Sequence, residues 1–238
     1  MKRLLIAAAS SLALAGLPAM AADMAVKAAP KAPATAYTWT GCYFGGEFGV
    51  GWSRARETFS NGAPTDDSKP RGGTVGGVLG CNYQMSNIVV GVEGDYEATD
   101  INGEFFNATG ATSSGSSKLK SDGSIRARLG VTPWDRTLLY VTGGWAFARY
   151  SLMGGPDAPA PGLPCCGFNT SPDGWTVGGG LEYAIDPNWT ARAEYRHSDF
   201  GTSTGALNPT FPLVNISVRN SIDAFRFALT YKFTSLMH

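Results

Sequence analysis

From Trp39 to Phe233 the chain repeats one pattern: a stretch of about ten residues in which apolar and polar positions alternate, then a turn or a polar loop. Period-two alternation places successive side chains on opposite faces of a strand. In "FRFALTYKF", Phe225, Phe227, Leu229, Tyr231 and Phe233 share one face, and Arg226, Ala228, Thr230 and Lys232 the other. Seven earlier segments read the same way. "CYFGGEFGVGW" sets Cys42, Phe44, Phe48, Val50 and Trp52 against Tyr43 and Glu47. "TVGGVLGCNYQ" sets Val75, Leu79, Cys81 and Tyr83 against Asn82 and Gln84, and "IVVGVEGDYEA" sets Val90, Val92 and Tyr96 against Glu93, Asp95 and Glu97. "LKSDGSIRARLGV" sets Leu119, Ile125, Ala127, Leu129 and Val131 against Lys120, Asp122, Arg126 and Arg128. "LLYVTGGWAFA" sets Leu139, Val141, Trp145 and Phe147 against Tyr140 and Thr142. "WTVGGGLEYAI" sets Trp175, Val177, Leu181, Tyr183 and Ile185 against Thr176 and Glu182, and "WTARAEYRHS" sets Ala191, Ala193 and Tyr195 against Arg192, Glu194 and Arg196.

The connections alternate in length. "MSN", "TPWDR" and "DPN" are short; the stretches near 53–73, 98–118, 150–173 and 200–219 are long and rich in Gly, Ser, Thr, Asn and Pro. Short turns at one end and long polar loops at the other mark an outer-membrane barrel, with the long loops outside. A soluble sandwich has no reason for this regularity, and structureless loops of about twenty residues are unusual in one. The pattern therefore predicts an all-β fold, an eight-stranded antiparallel up-and-down transmembrane β-barrel.

Charge sharpens the choice of faces. The polar faces carry seven acids (Glu47, Glu93, Asp95, Glu97, Asp122, Glu182, Glu194) and seven bases (Lys120, Arg126, Arg128, Arg192, Arg196, Arg226, Lys232). The apolar faces carry almost none, as expected where charge meets lipid at a cost of roughly 2–4 kcal/mol at the midplane. Opposite charges facing one small lumen can pair, which predicts a lumen charge network. The chain holds 31 glycines among 238 residues, many within the strands. They either relieve crowding in a strongly curved barrel or mark a bulge each.

The first 21 residues read as a secretory signal: Lys2 and Arg3, an apolar centre "LLIAAASSLALAGL", and the small-residue site "AMA" at 19–21. Residues 22–38, rich in Ala, Pro and Lys, read as a periplasmic linker. The barrel is placed at 39–233 and a tail "TSLMH" at 234–238. Removing Lys2 and Arg3 leaves 17 basic against 19 acidic residues, a balance that implies no nucleic-acid partner. Beyond the signal no run of 18 apolar residues remains, which excludes a helical span.

Catalysis and metal binding find little support. Of the two histidines, His238 lies on the tail, and His197 is followed by Ser198, whose side chain points to the opposite face. No catalytic residue, cofactor or metal site is assigned. Cys165 and Cys166 sit in a Pro/Gly loop without zinc-ligand spacing. In an oxidising compartment four cysteines allow three disulfide connectivities. Cys42 and Cys81 fall on the apolar faces of neighbouring strands near the same end. They can form a bridge if the register sets them opposite, or act as small apolar residues in lipid.

In order along the chain, "WTGCYFGGEFGVGW", "GGVLGCNYQ", "VVGVEGDYE", "SIRARLGV", "LLYVTGGWAF", "GWTVGGGLEYAI", "WTARAEYRHSDFG" and the terminal "YKF" resemble the outer-membrane immunogenic proteins of rhizobia, bradyrhizobia and brucellae. These are porin-like, OmpA-type barrels of α-proteobacteria. The resemblance runs from Trp39 to Phe233. It implies an eight-stranded barrel in the outer membrane, with outer-membrane lipid and lipopolysaccharide around it. It also implies recognition of the terminal strand, Phe225 to Phe233, by the barrel-assembly machinery. Cys42 and Cys81 depart from the plain apolar residues expected there, and "TSLMH" follows the terminal aromatic. Two functions stay open: a structural and surface role, or a narrow pore for small solutes. Eight strands enclose an interior that side chains can fill, which favours the first.

Overall fold

The structure is a computed structural model and describes residues 37–59, 67–68, 70–106, 113–154, 167–206 and 215–233. The stretch read as a signal, most of that read as a linker, residues 234–238 and Cys165–Cys166 lie outside the described residues. Eight long strands follow in chain order: β1 Gly41–Phe59, β2 Arg71–Met85, β3 Ile88–Phe106, β4 Ser113–Trp134, β5 Thr137–Gly154, β6 Asp173–Ala184, β7 Trp189–Ala206 and β8 Asn215–Phe233. Each pairs antiparallel with its sequence neighbours. β8 then pairs with β1 from Cys42 opposite Phe233 to Phe59 opposite Ile216, which closes the barrel.

Closure fixes the two environments. The outward positions are large, apolar and exposed, among them Phe48, Val75, Leu79, Val92, Ile125, Val141 and Phe227. Toward the short-turn end they become aromatic, with Tyr83, Trp134, Tyr183 and Trp189. A second aromatic belt, with Trp52, Tyr96, Trp145, Trp175, Tyr195 and Phe225, stands toward the other end. Such belts mark the two membrane boundaries. The inward positions are buried and mostly polar. Positive φ occurs in two of the short turns, at Ser86 (φ 57°), directly after β2, and at Arg136 (φ 64°), directly before β5.

The strands run well past the expected ten residues. β1, β3 and β8 each span 19 residues and β4 spans 22. Much of each stretch read as loop is strand, and short strands at Asp67–Ser68 and Gly167–Thr170 add to β1 and β5. Outside the membrane neither face meets lipid, so the alternation that marks a strand is no longer required. The backbone ladder continues from the strand already paired.

One face assignment is also corrected. Leu119 is buried in the lumen and Lys120 is exposed outside, the reverse of the simple alternation. Leu119 pairs with Tyr150 and Ser121 with Arg149, so β4 spends an extra residue there. A bulge of one residue reverses the facing of everything beyond it.

The strand glycines serve packing. Gly45 and Gly76 lie in continuous register, and a Cβ on them would stand 2.3 Å from the Leu229 carbonyl oxygen and 2.2 Å from that of Tyr96. Their absence lets neighbouring strands close on a tight radius.

Candidate functional site: the barrel lumen

The inward faces of six strands bring their charges to one layer. Arg126 on β4 is at its centre. It donates to Glu194 (2.7 Å), Asp95 (3.2 Å), the Thr142 hydroxyl (2.9 Å) and Glu93. Arg192 on β7 joins Glu93 to Glu47, the latter at 3.0 Å. Arg196 joins Asp95 (2.7 Å) to Glu194 (2.9 Å). Arg226 on β8 meets Asp122 (2.7 Å), Glu97 (2.9 Å) and Asp95 (3.4 Å). Arg128 donates to Glu182, and its guanidinium carbon lies 3.7 Å from the centre of the Tyr140 ring. Tyr43 and Tyr140 extend the connections, donating to Glu93 (2.6 Å) and Glu194 (2.9 Å). Room for both phenols comes from glycine: a Cβ on Gly80 would lie 2.5 Å from the Tyr43 hydroxyl, and one on Gly180 2.7 Å from that of Tyr140.

Twelve of the fourteen charged residues assigned to the polar faces enter this network: Glu47, Glu93, Asp95, Glu97, Asp122, Arg126, Arg128, Glu182, Arg192, Glu194, Arg196 and Arg226. Lys232 does not. It sits at the short-turn mouth, where its Nζ donates to the Thr38 carbonyl and lies 4.0 Å from the centre of the Tyr37 ring. With Lys120 outside as well, seven carboxylates face five arginines. The surplus is visible at Glu97, whose ion pair with Arg226 lacks hydrogen-bond geometry, and at Glu47 Oε1, which has no hydrogen-bond partner.

Buried apolar clusters that sequence reasoning missed lie at either end of the charged layer. At the short-turn end Trp39 packs with Val89, Leu138, Tyr140 and Ala184, with Tyr37 against them. The Trp39 N–H donates to Gln84 Oε1 at 2.8 Å. Tyr37 and Thr38, read as linker, thus belong to the packed end of the barrel. At the other end Ile101, Leu119, Ala146, Ala148, Tyr150, Phe200 and Ile222 form a second buried cluster. Val89 and Leu138 share the parity of the lumen residues Glu93 and Tyr140, a signal available in the sequence. Ile101, Tyr150 and Phe200 fell in stretches read as loop.

Cys42, Cys81 and His197 lie on the outside. Cys42 stands directly opposite Cys81 on β1 and β2, and their sulfurs are bonded at 2.06 Å. His197 packs on Trp175 with ring centres 5.5 Å apart, and its Nδ1 lies 2.8 Å from Asp223 Oδ1. Ser198 points inward and donates to the Thr176 hydroxyl at 2.9 Å. Histidine and serine therefore never face one another. Among the described residues no cluster of histidine, cysteine and carboxylate side chains is arranged for a metal ion.

Residues 9–233 match the family model for the outer membrane protein beta-barrel domain. The chain is 34% identical over 206 residues to the 31 kDa outer-membrane immunogenic protein of Brucella melitensis, covering 81% of this chain and 85% of that one. It is 32% identical over 240 residues to the 25 kDa outer-membrane immunogenic protein of the same species, covering 98% and 99%. It is 30% identical over 184 residues to the 22 kDa outer membrane protein of Rhizobium leguminosarum bv. viciae, covering 72% and 68%. Among solved structures, the outer membrane protein OprG from Pseudomonas aeruginosa superimposes with a TM-score of 0.54 at 12% identity, covering 83% of this chain and 98% of that one.

Proposed function

We propose that this chain, which belongs to the outer-membrane β-barrel family, is a closed barrel with a structural and surface role rather than a diffusion pore. Its place is the outer membrane, as the family and the named relatives have it. The relatives are named as outer-membrane immunogenic proteins, not as enzymes.

The observation that carries the reading is the layering of the lumen. A solute crossing it meets an apolar plug around Trp39, a layer of paired charge, and a second apolar plug around Phe200. Ions avoid the plugs, and apolar solutes avoid the charge. Small-solute diffusion needs a continuous wet path, which porins obtain with more strands. The family's immunogenic members suggest the same display here: long strands carry four connections away from the membrane, where they meet the outside world. Membrane lipid and lipopolysaccharide would surround the apolar belt, and the Phe225–Phe233 strand would be the one read by the assembly machinery.

Planar-bilayer recording on refolded protein tests the reading. The expected trace shows no resolved conductance steps at moderate voltage. Reproducible steps that survive dilution to one barrel per bilayer refute it and favour the narrow pore.

A further inference from the structure

We infer that the Cys42–Cys81 bridge is a register pin for the β1–β2 pair, set by thiol–disulfide exchange with a periplasmic disulfide donor before the barrel enters the membrane. The pin concerns assembly, whether or not the lumen conducts.

Three observations converge. The first is how little else holds β1 and β2 in register. Their ladder runs from Gly41 opposite Asn82 to Trp52 opposite Arg71. All six inward rungs contain a glycine, as where Gly45 meets Val78 and Glu47 meets Gly76. On the outer face Gly46 meets Gly77 and Val50 meets Gly73. Cross-strand side-chain pairs favour one register over another, and glycine-rich strands are prone to slip. The other edge of β1 is different: Phe44, Phe48 and Trp52 pack against Tyr231, Phe227 and Phe225 of β8. A slip of two residues between β1 and β2 would keep every side chain on its face. It would also carry Cys42 and Cys81 about 7 Å apart along the strands, beyond the span of a disulfide. The bridge therefore admits one register.

The second observation is where the bridge sits. β1 ends at Phe59 and β2 begins at Arg71, so the chain joins these strands at the long-loop end. The cysteines stand at the opposite end, 39 residues apart in sequence. At the short-turn end β2 is tied to β3 by the turn through Ser86, and to β1 by the bridge.

The third is what surrounds the sulfurs. Cys42 has Phe233 on its other side, and Cys81 has Val92. The next outward rung toward the middle of the membrane is Phe44 and Leu79, both exposed to lipid. The next outward residue toward the turn is Tyr83 of the aromatic belt. The sulfurs thus lie on the hydrocarbon side of the belt. Exchange proceeds through a thiolate, and a charge set in an apolar medium is costly. After insertion a water-borne donor or reductant has no route to these sulfurs. The bond is therefore made on a chain still in the periplasm, an oxidising compartment.

A donor disulfide balances the step. One cysteine gives up its proton, and its thiolate attacks a donor sulfur to form a mixed disulfide. The second cysteine, also as thiolate, attacks the chain sulfur of that mixed disulfide and expels the donor. The chain loses two protons and two electrons, and the donor disulfide is reduced to its two thiols.

The test uses the full-length chain with Cys165→Ser/Cys166→Ser, so that Cys42 and Cys81 are its thiols. In pulse-labelled cells, quenched with acid and alkylated, the bridge is expected on chains that have not yet acquired heat-modifiable mobility. Heat-modified chains with both thiols free, which oxidise later, overturn the order of events. With purified protein, oxidised glutathione serves as the donor. It should bridge the chain in urea at least about tenfold faster than the reduced barrel already folded in phospholipid vesicles, and equal rates overturn the order as well. For the pin, Cys42→Ala/Cys81→Ala is expected to lower the folded yield in vesicles about threefold. Gly46→Val/Gly77→Val, added to that variant, supplies a β-branched cross-strand pair in the same ladder. A Cβ on Gly46 meets nothing within 4 Å and one on Gly77 has its nearest neighbour at 3.6 Å, so both valines fit. They should restore the yield, whereas Gly143→Val/Gly179→Val, two outward valines on β5 and β6, should not. An unchanged yield without the cysteines overturns the pin. Equal rescue by both valine pairs would mean general stabilisation and overturns it too.

Discussion

Replacing Arg126 with methionine removes the centre of the lumen network while keeping its length and apolar stem. Arg126 is buried and donates to Glu194, Asp95, Glu93 and Thr142. Removing one partner of a buried ion pair costs about 3–5 kcal/mol, because the other charge is left without compensation. Here three carboxylates lose a partner together, but each keeps another: Glu93 keeps Arg192, Asp95 keeps Arg196, and Glu194 keeps Arg196 and Tyr140. Methionine leaves no large cavity. The expected loss is therefore about 3–5 kcal/mol, not the sum of three separate pairs. Reversible urea unfolding in phospholipid vesicles, followed by tryptophan fluorescence and heat-modifiable gel mobility, reads it. The contrast is Glu97→Gln. Glu97 belongs to the surplus of carboxylates: its one ion pair, with Arg226, lacks hydrogen-bond geometry, and Arg226 keeps Asp122 and Asp95 without it. That variant should change stability by less than about 1 kcal/mol. An Arg126→Met loss below about 1 kcal/mol would mean that water screens the lumen, and the ion-pair geometry would then not decide stability. Equal losses in the two variants would refute the reasoning as well.

Phe227 faces lipid and stacks on Phe48 with ring centres 5.9 Å apart. Phe227→Arg should lower outer-membrane yield through a penalty of roughly 2–4 kcal/mol near mid-depth. Changing neighbouring lipid-facing Leu229 to Phe should leave yield near wild type, and equal yields for the two variants would contradict the face assignment. Cys42 and Cys81 should appear as one disulfide-linked peptide pair in non-reducing mapping of protein from intact outer membranes. Alkylation of both without reductant would exclude the bridge.

The sequence by itself determined the strand class, the number of strands and which residues face the lumen through the membrane. Lipid on one side and a crowded lumen on the other impose a strict two-residue period, as in Phe225–Phe233, so the faces are legible without coordinates. It determined the inventory of charge for the same reason: a charged residue has nowhere to go at mid-depth but inward. What the tertiary structure decided lies where that constraint lapses. Outside the membrane both faces of a strand tolerate polar residues, so the outer parts of β1, β3, β7 and β8 look like loop in the sequence and are strand in the barrel. One extra residue at Leu119–Ser121 carries no local signature, yet it turns Lys120 out and Leu119 in. Which acid meets which arginine depends on strands remote in sequence, as when Arg192 reaches Glu47 across the seam formed by β8 and β1. Only closure of the barrel sets those distances. Closure also brings Trp39 and Phe200, whose burial the linear pattern does not signal, into the two buried apolar clusters at the ends of the lumen.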